Sequence, residues 1–304
     1  MKNIIRLGVF IAILGTIWFY VKRKNAPQIT PEKVLITAAN AHVQGLDPLR
    51  VRDNYAVHEA AKVYEGLVEY HYLKRPFELV ANLAESMPTV SADQLVYTFK
   101  VREGVMFHDN PCFPDGKGRE LTAHDFVYAF KRLADPKLQS LNFWLIDNKL
   151  KGLNEWRQRN MDAPQVDYTA DIPGVKAIDR YTLQFTLKKP YPQFLYALAM
   201  APCYAVAQEA VAYYGADFSN NPVGTGPFMV EEFNPLGTKI VYRKNPTFRD
   251  KRFPSQAADE FKHMLVYANK RLPFVDKIIT YIHAEEQPRW LKFKKGQLDV
   301  VDVS

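Results

Sequence analysis

The alternation of apolar and polar positions along the chain predicts a mixture of strands and helices. Period-two patterns and short β-branched runs predict strands at residues 34–39, 95–102, 175–187, 228–233, 238–245 and 275–285. Apolar residues that recur every three or four positions predict helices at residues 54–70, 122–135, 190–200 and 286–293. No strict strand-helix-strand period and no internal repeat is present, so the predicted fold class is α+β, or mixed α/β.

Two local signals sharpen this picture. Thr122 is followed three positions later by Asp125, the pattern of a capping box, so the helix there should begin at Thr122 and end at Asp135 before Pro136. Asn234 to Gly237 separate two apolar segments and predict the turn of a β-hairpin.

The first 24 residues carry an export pattern. Residues 1–6 are basic, and the fifteen residues from Leu7 to Val21 are uncharged and apolar before three cations at 22–24. No small-x-small cleavage motif follows, which favours an uncleaved signal anchor, while a cleaved signal peptide stays open because the run length suits both. Residues 25–33 are a polar linker. The rest of the chain is expected on the periplasmic or cell-surface side, anchored to the cytoplasmic membrane or secreted after cleavage.

Charge and cysteine content exclude several classes of function. The net charge is +7, but the 40 basic residues are interleaved with 33 acids, so we expect no nucleic-acid interface. Cys112 and Cys203 stand far apart without a CxxC or Cys-His pattern, so neither a disulfide framework nor a metal site is predicted.

Motifs of catalysis are also missing from the sequence. Gly224 and Gly226 lack the Lys-Ser/Thr of a phosphate loop, and no G-x-S-x-G elbow occurs. The pairs His108-Asp109 and His124-Asp125 lack the third ligand of a metal site. We expect no enzyme and no cofactor, with a secreted hydrolase kept as the alternative that the two His-Asp pairs suggest.

A resemblance to a known family rests on segments in a fixed order. They are GLDPLR at 45–50, VYEGLVEY at 63–70, LTAHDFVYAFKRLADP at 121–136, NPVGTGPFMVEEF at 221–233 with RKNPTFR at 243–249, and KKGQLDVVD at 294–302. Together they resemble the extracellular solute-binding proteins of the peptide/nickel type, the oligopeptide- and dipeptide-binding subunits of ABC importers. The resemblance runs from about Val34 to Ser304.

The resemblance implies a periplasmic binding protein-like lobe with an inserted smaller domain. Residues 34–78 and 172–304 would form the lobe, and residues 79–171 would form the insert. In the family a second lobe follows a segment similar to KKGQLDVVDVS, so we expect that lobe to be missing here. Without returning strands, the segment 275–304 should then present an open sheet edge and exposed apolar surface.

The resemblance also implies ligand contacts from three loops. The expected ligand-binding residues are Asn40, His42, Val43 and Gln44 after the first strand, Asn142, Phe143 and Trp144, and Val223, Gly224, Thr225 and Gly226 in the glycine turn. A purely structural turn is the competing interpretation of each loop. The family often has an acid near His42, so the ligand could be a peptide, a nickel chelate or another solute.

The implied function is the capture of oligopeptides or dipeptides for an ABC permease in the membrane. The expected partners are therefore a peptide, the permease subunits and the membrane itself through the N-terminal helix. The alternative is a membrane-anchored, truncated protein that acts through protein contacts and binds no solute.

Overall fold

The computed structural model describes residues 31–283 and 285–301. The predicted membrane anchor at residues 1–24 and most of the linker lie outside these residues. Within the described ranges, no helix is long and apolar enough to cross a membrane. The described residues from Val34 onward form one compact unit of mixed α/β structure, which agrees with the predicted fold class.

Ten strands and six α-helices make up the described part of the chain. The strands are β1 (Val34–Ala39), β2 (Val68–Tyr70), β3 (Leu79–Ala81), β4 (Thr89–Val90), β5 (Val96–Lys100), β6 (Val175–Ala177), β7 (Thr182–Thr186), β8 (Phe228–Phe233), β9 (Lys239–Lys244) and β10 (Lys277–Ile282). The helices are α1 (Asn54–Val63), α2 (Ala123–Ala134), α3 (Leu153–Arg159), α4 (Phe194–Leu198), α5 (Gln208–Tyr214) and α6 (Glu286–Lys294). Five short 3-10 helices lie at Pro114–Gly116, Phe143–Leu145, Ala201–Cys203, Gly215–Asn220 and Asp259–Tyr267.

The first sheet has the strand order β1-β10-β9-β8. β1 runs parallel to β10, and the other pairs are antiparallel, with the predicted β8-β9 hairpin in place. The Thr37 hydroxyl donates to the Thr280 hydroxyl at 3.2 Å across the parallel pair. The expectation of an open edge at 275–304 is wrong, because β10 is paired on both sides and the edges are β1 and β8. The exposed apolar surface expected in the same segment is present at Trp290, Leu291 and Phe293.

The second sheet is antiparallel, with the order β4-β5-β7-β6, and packs against α2. Phe99 and Phe185 meet edge to face at 6.0 Å between ring centroids, and Phe130 of α2 lies 4.9 Å from Phe185. All three rings are fully buried. This sheet joins strands from both sides of residue 171, at which the sequence predicts a domain boundary. The division into residues 34–78, 79–171 and 172–304 stays a prediction.

The predicted start of α2 is correct, whereas the predicted end of α1 is not. The capping box at α2 is confirmed, since the Asp125 carboxylate accepts from the Thr122 backbone N–H at 2.8 Å. The single helix expected over residues 54–70 is wrong: α1 ends at Val63, and Tyr64 is extended. Gly226 donates its N–H to the Val63 carbonyl at 2.8 Å, and this carbonyl would otherwise accept from the next helical turn. The chain then turns into β2, which pairs with β3.

Candidate functional site

The loop Asn40–Gln44 leaves the carboxyl end of β1 beside the end of β10. The Ala39 carbonyl accepts from the His283 backbone N–H at 2.9 Å, which closes the two strand ends together. Val43 is buried at 1% exposure and anchors the loop, whereas Asn40, His42 and Gln44 are exposed. The loop therefore presents polar side chains and backbone to solvent from a rigid strand pair.

A buried ion pair holds the chain immediately after this loop. The Asp47 carboxylate accepts from both terminal nitrogens of Arg132 in α2, at 2.9 and 3.2 Å, and both side chains are almost inaccessible. The same carboxylate accepts from the Leu49 backbone N–H at 3.1 Å. The loop is thus tied to the helix that packs on the second sheet.

Asn142 links the second predicted loop to the first. Its side-chain amide donates to the carbonyls of Leu49 and Val51, each at 3.1 Å. Trp144 is 58% exposed, while Phe143 is half-buried with the Arg157 guanidinium 4.4 Å from its ring centroid. The structure therefore brings residues 142–144 beside the segment that continues from Asn40–Gln44.

The glycine turn Val223–Gly226 has a different environment, because all four residues are buried. The Val223 N–H donates to the Tyr64 hydroxyl at 3.2 Å. A Cβ at Gly224 would come within 2.0 Å of the Val63 carbonyl oxygen, so only glycine allows this approach to the end of α1. The turn locks α1 against β8, and its assignment as a ligand contact stays a prediction.

His108 fastens the same turn with its ring and its backbone. The His108 N–H donates to the Gly224 carbonyl at 2.8 Å. Its Nε2 lies 3.0 Å from the Gly226 carbonyl and its Nδ1 3.4 Å from the Gly224 nitrogen, so Nε2 carries the proton and Nδ1 accepts. Burial lowers the pKa of His108 to about 4, against the opposing pull of the Gly226 carbonyl and Glu65. The ring is therefore neutral at pH 7.

Glu65 and Arg249 form a second buried pair on the other side of the turn. Arg249 donates to the two carboxylate oxygens of Glu65 at 2.6 and 2.8 Å, and the Thr225 hydroxyl donates to Glu65 at 3.1 Å. Burial by itself raises the pKa of Glu65, but the Arg249 charge and hydrogen bonds, with help from Lys251, hold it below its ordinary value. Sequence reasoning missed this pair, although a lone acid inside the apolar run VYEGLV was its signal.

The two His-Asp pairs do not form acid-base couples. The Asp109 carboxylate accepts from Lys117 at 2.7 Å and from the Gly118 N–H at 3.0 Å, while the His108 ring nitrogens face Gly226 and Gly224. Asp125 pairs with Arg119 at 2.6 Å, while the His124 side chain is exposed. In the described ranges, no three His, Cys, Asp or Glu side chains are grouped closely enough to hold a metal ion.

Comparison with known families gives a match over most of the chain. The family model described as bacterial extracellular solute-binding proteins, family 5 middle, covers residues 78–304. The chain is 28% identical over 285 residues to the probable deoxycholate-binding periplasmic protein YgiS of Escherichia coli K12, which covers 91% of this chain and 49% of that protein. It is 29% identical over 222 residues to di/tripeptide-binding protein 2 of Pseudomonas aeruginosa, which covers 71% of this chain and 38% of that protein.

The fold is also that of a solved relative. The structure of Listeria monocytogenes OppA bound to peptide matches with a TM-score of 0.68 and 20% identity, over 89% of this chain and 46% of that one. The chain spans half or less of the length of these curated relatives and of this neighbour.

Proposed function

Because the chain belongs to the bacterial extracellular solute-binding proteins of family 5, we propose that it serves in substrate capture for an ABC-type peptide importer. The match of the family model over residues 78–304 is the observation that carries this proposal. Peptides would be taken up outside the cytoplasmic membrane and delivered to the permease subunits. The protein would bind without catalysis, as the family's description as solute-binding proteins suggests.

The exposed loop Asn40–Gln44 supports an extended ligand held through its backbone. Backbone N–H and C=O groups beyond a strand end can pair with a peptide of any sequence, while exposed side chains adapt to its side chains. The exposed Trp144 ring, which lies on the loop that Asn142 ties to Leu49 and Val51, supplies a flat apolar surface. These two loops are the ligand contacts we propose.

The ligand class follows from the relatives, of which one is named for di- and tripeptides and another for deoxycholate. We favour peptides because the exposed side chains of the first loop are polar and uncharged or weakly basic, namely Asn40, His42 and Gln44. A rigid, largely apolar steroid would find little apolar surface on this first loop.

Calorimetric titration of the chain with Ala-Ala-Ala, with a mixed tetrapeptide pool and with deoxycholate tests the ligand class. We expect the peptides to bind and deoxycholate not to bind. Trp144→Ala should weaken peptide binding by about ten-fold, since buried aromatic contacts carry much of the energy of an interface. Trp290→Ala is the matched control, because Trp290 is also exposed, at 45%, but lies in α6, and it should leave the affinity unchanged.

Binding of deoxycholate without binding of peptides would contradict the peptide assignment. Binding of neither would favour the second candidate, a membrane-attached protein that acts through protein contacts.

For localisation, we propose that residues 1–24 hold the protein at the outer side of the cytoplasmic membrane as a signal anchor. The uninterrupted apolar run before Lys22 and the lack of a cleavage motif support this. Mass spectrometry of the protein from membrane and periplasmic fractions tests it. An intact N-terminus in the membrane fraction is expected, and a shortened soluble chain would show cleavage instead.

A further inference from the structure

A cavity of about 430 Å³ lies away from the loops proposed for peptide capture. It reaches Leu35 and Ile278, which face each other near the start of the β1-β10 pair. Asn40 stands five residues further along, and five residues of strand span roughly 16 Å. The cavity is therefore at the opposite end of β1 from the loop Asn40–Gln44.

The walls of this cavity are mainly apolar. Val68 of β2 and Phe228 of β8 line it, and Phe248 and Phe274 line it from the segment between β9 and β10. Its volume lies within the range of roughly 300–1,000 Å³ typical of small-molecule sites, which are mostly apolar with a few placed polar groups. The size suits a molecule of two or three fused or linked rings.

Charged side chains meet at one end of the cavity and neutralise one another. Lys251 donates to Glu69 at 2.6 Å and to the Asn82 side-chain oxygen at 2.9 Å. Glu65 is bound by Arg249. Two acids are thus matched by two bases, and an added charge from a ligand would stay unpaired at high cost. This end of the cavity favours an uncharged molecule.

Tyr204 supplies a hydrogen-bonding group in the wall. Its ring packs on Gly66, where a Cβ would come within 2.9 Å of two ring atoms. Burial raises the pKa of Tyr204 to about 12, with Glu69 and Glu65 adding to the effect, so the hydroxyl is protonated at pH 7. Among the described residues, nothing forms a hydrogen bond with this hydroxyl. A partly buried hydroxyl without a partner is a position that a ligand group can satisfy.

We propose that this cavity is a second binding site, for a small, uncharged, largely apolar molecule with one hydroxyl or amine that pairs with Tyr204. The site is independent of the peptide function proposed above. Its ligand would enter past Ala61, which lines the cavity from an exposed position on α1.

Fluorescence titration with N-phenyl-1-naphthylamine, an uncharged three-ring probe with one N–H, tests the site. Saturable binding with increased emission is expected for the full chain. Ala61→Phe should weaken it by about ten-fold or more, because the new ring occupies the mouth of the cavity. Ala212→Phe is the control, since Ala212 is also an exposed helical alanine but lies outside the cavity, and it should bind as the parent does. Absence of saturable binding, or equal binding by both variants, would overturn the proposal.

The role of the hydroxyl is tested by competition with 1-naphthol and naphthalene against the same probe. Tyr204→Phe should weaken the binding of 1-naphthol by about five-fold, as expected for one hydrogen bond, and leave the affinity for naphthalene unchanged. Tyr213→Phe, at an exposed tyrosine, should change neither. Equal losses for both competitors, or none for 1-naphthol, would contradict the assignment of Tyr204.

Peptide competition separates this site from the proposed function. An excess of Ala-Ala-Ala should leave the affinity for the probe unchanged, whether or not the peptide binds elsewhere on the chain. Displacement of the probe by the peptide would show that the two ligands share one site and would overturn the second one.

Discussion

The loop Asn40–Gln44 and the turn Val223–Gly226 were both expected to contact ligand, yet the structure gives them opposite environments. Three side chains of the loop are exposed around one buried anchor, Val43. All four residues of the turn are buried, and His108, Tyr64 and Glu65 bind them within the chain. A conspicuous glycine motif can therefore serve packing, while a plain polar loop remains available for recognition.

The largest expected effect is that of Gly224→Ala. The added Cβ would collide with the Val63 carbonyl oxygen, which a backbone cannot easily move, so the free energy of unfolding should fall by about 4 kcal/mol. Gln44→Ala in the exposed loop should change it by less than about 0.5 kcal/mol. Urea unfolding followed by tryptophan fluorescence measures both. Equal losses of unfolding free energy in the two variants would show that the turn and the loop do not differ in their structural role.

Glu65→Gln should have the next largest effect. It leaves the Arg249 charge buried without its carboxylate and should lower the free energy of unfolding by about 3 kcal/mol. Glu155→Gln is the matched control, since Glu155 pairs with Lys188 at 2.9 Å but is largely exposed. It should leave the urea midpoint almost unchanged. A small effect of Glu65→Gln would mean that the pair does not stabilise the turn.

The third prediction concerns pH. The pKa of His108 lies near 4 in the folded chain because of burial, so the folded state binds fewer protons than the unfolded chain between about pH 4 and 6.5. The stability that the neutral His108 ring contributes is complete above pH 6.5 and is lost as the pH falls. The free energy of unfolding should therefore fall by about 2 kcal/mol between pH 7.5 and pH 5. His108→Gln should flatten this slope, and His124→Gln, at an exposed position, should not. Equal slopes in both variants would show that a group other than His108 causes the pH dependence of stability.

The smallest effect is expected from Asn142→Ala. The substitution removes two hydrogen bonds to the Leu49 and Val51 carbonyls, so stability should fall by about 1–2 kcal/mol. Peptide affinity measured by calorimetry should fall as well, because the two loops lose the bond between them. Unchanged affinity together with reduced stability would show that this link is only structural.

Much of the secondary structure could be predicted from local patterns. The capping box at Thr122, the β8-β9 hairpin and the strand Val34–Ala39 depend on residues close in sequence, and all three are confirmed. The end of α1 could not be predicted, because the N–H that binds the Val63 carbonyl belongs to Gly226. The expected open edge at 275–304 failed for the same reason, since β1 comes from the other end of the chain.

The candidate site, too, could be predicted from the sequence only in part. The polar loop after β1 and the exposed Trp144 could be named from the resemblance, but the burial of the glycine turn could not. The Glu65-Arg249 pair joins residues 184 positions apart, and the cavity beside it has walls from several distant segments.

The sequence by itself determined the fold class, the family resemblance and the position of most strands and caps, because short-range periodicity and turn chemistry decide these. Long-range contacts set which of the two predicted ligand segments is buried, where α1 ends and which carboxylate pairs with which base. These outcomes depend on contacts between residues such as Thr37 and Thr280, 243 positions apart, and no local pattern carries that information.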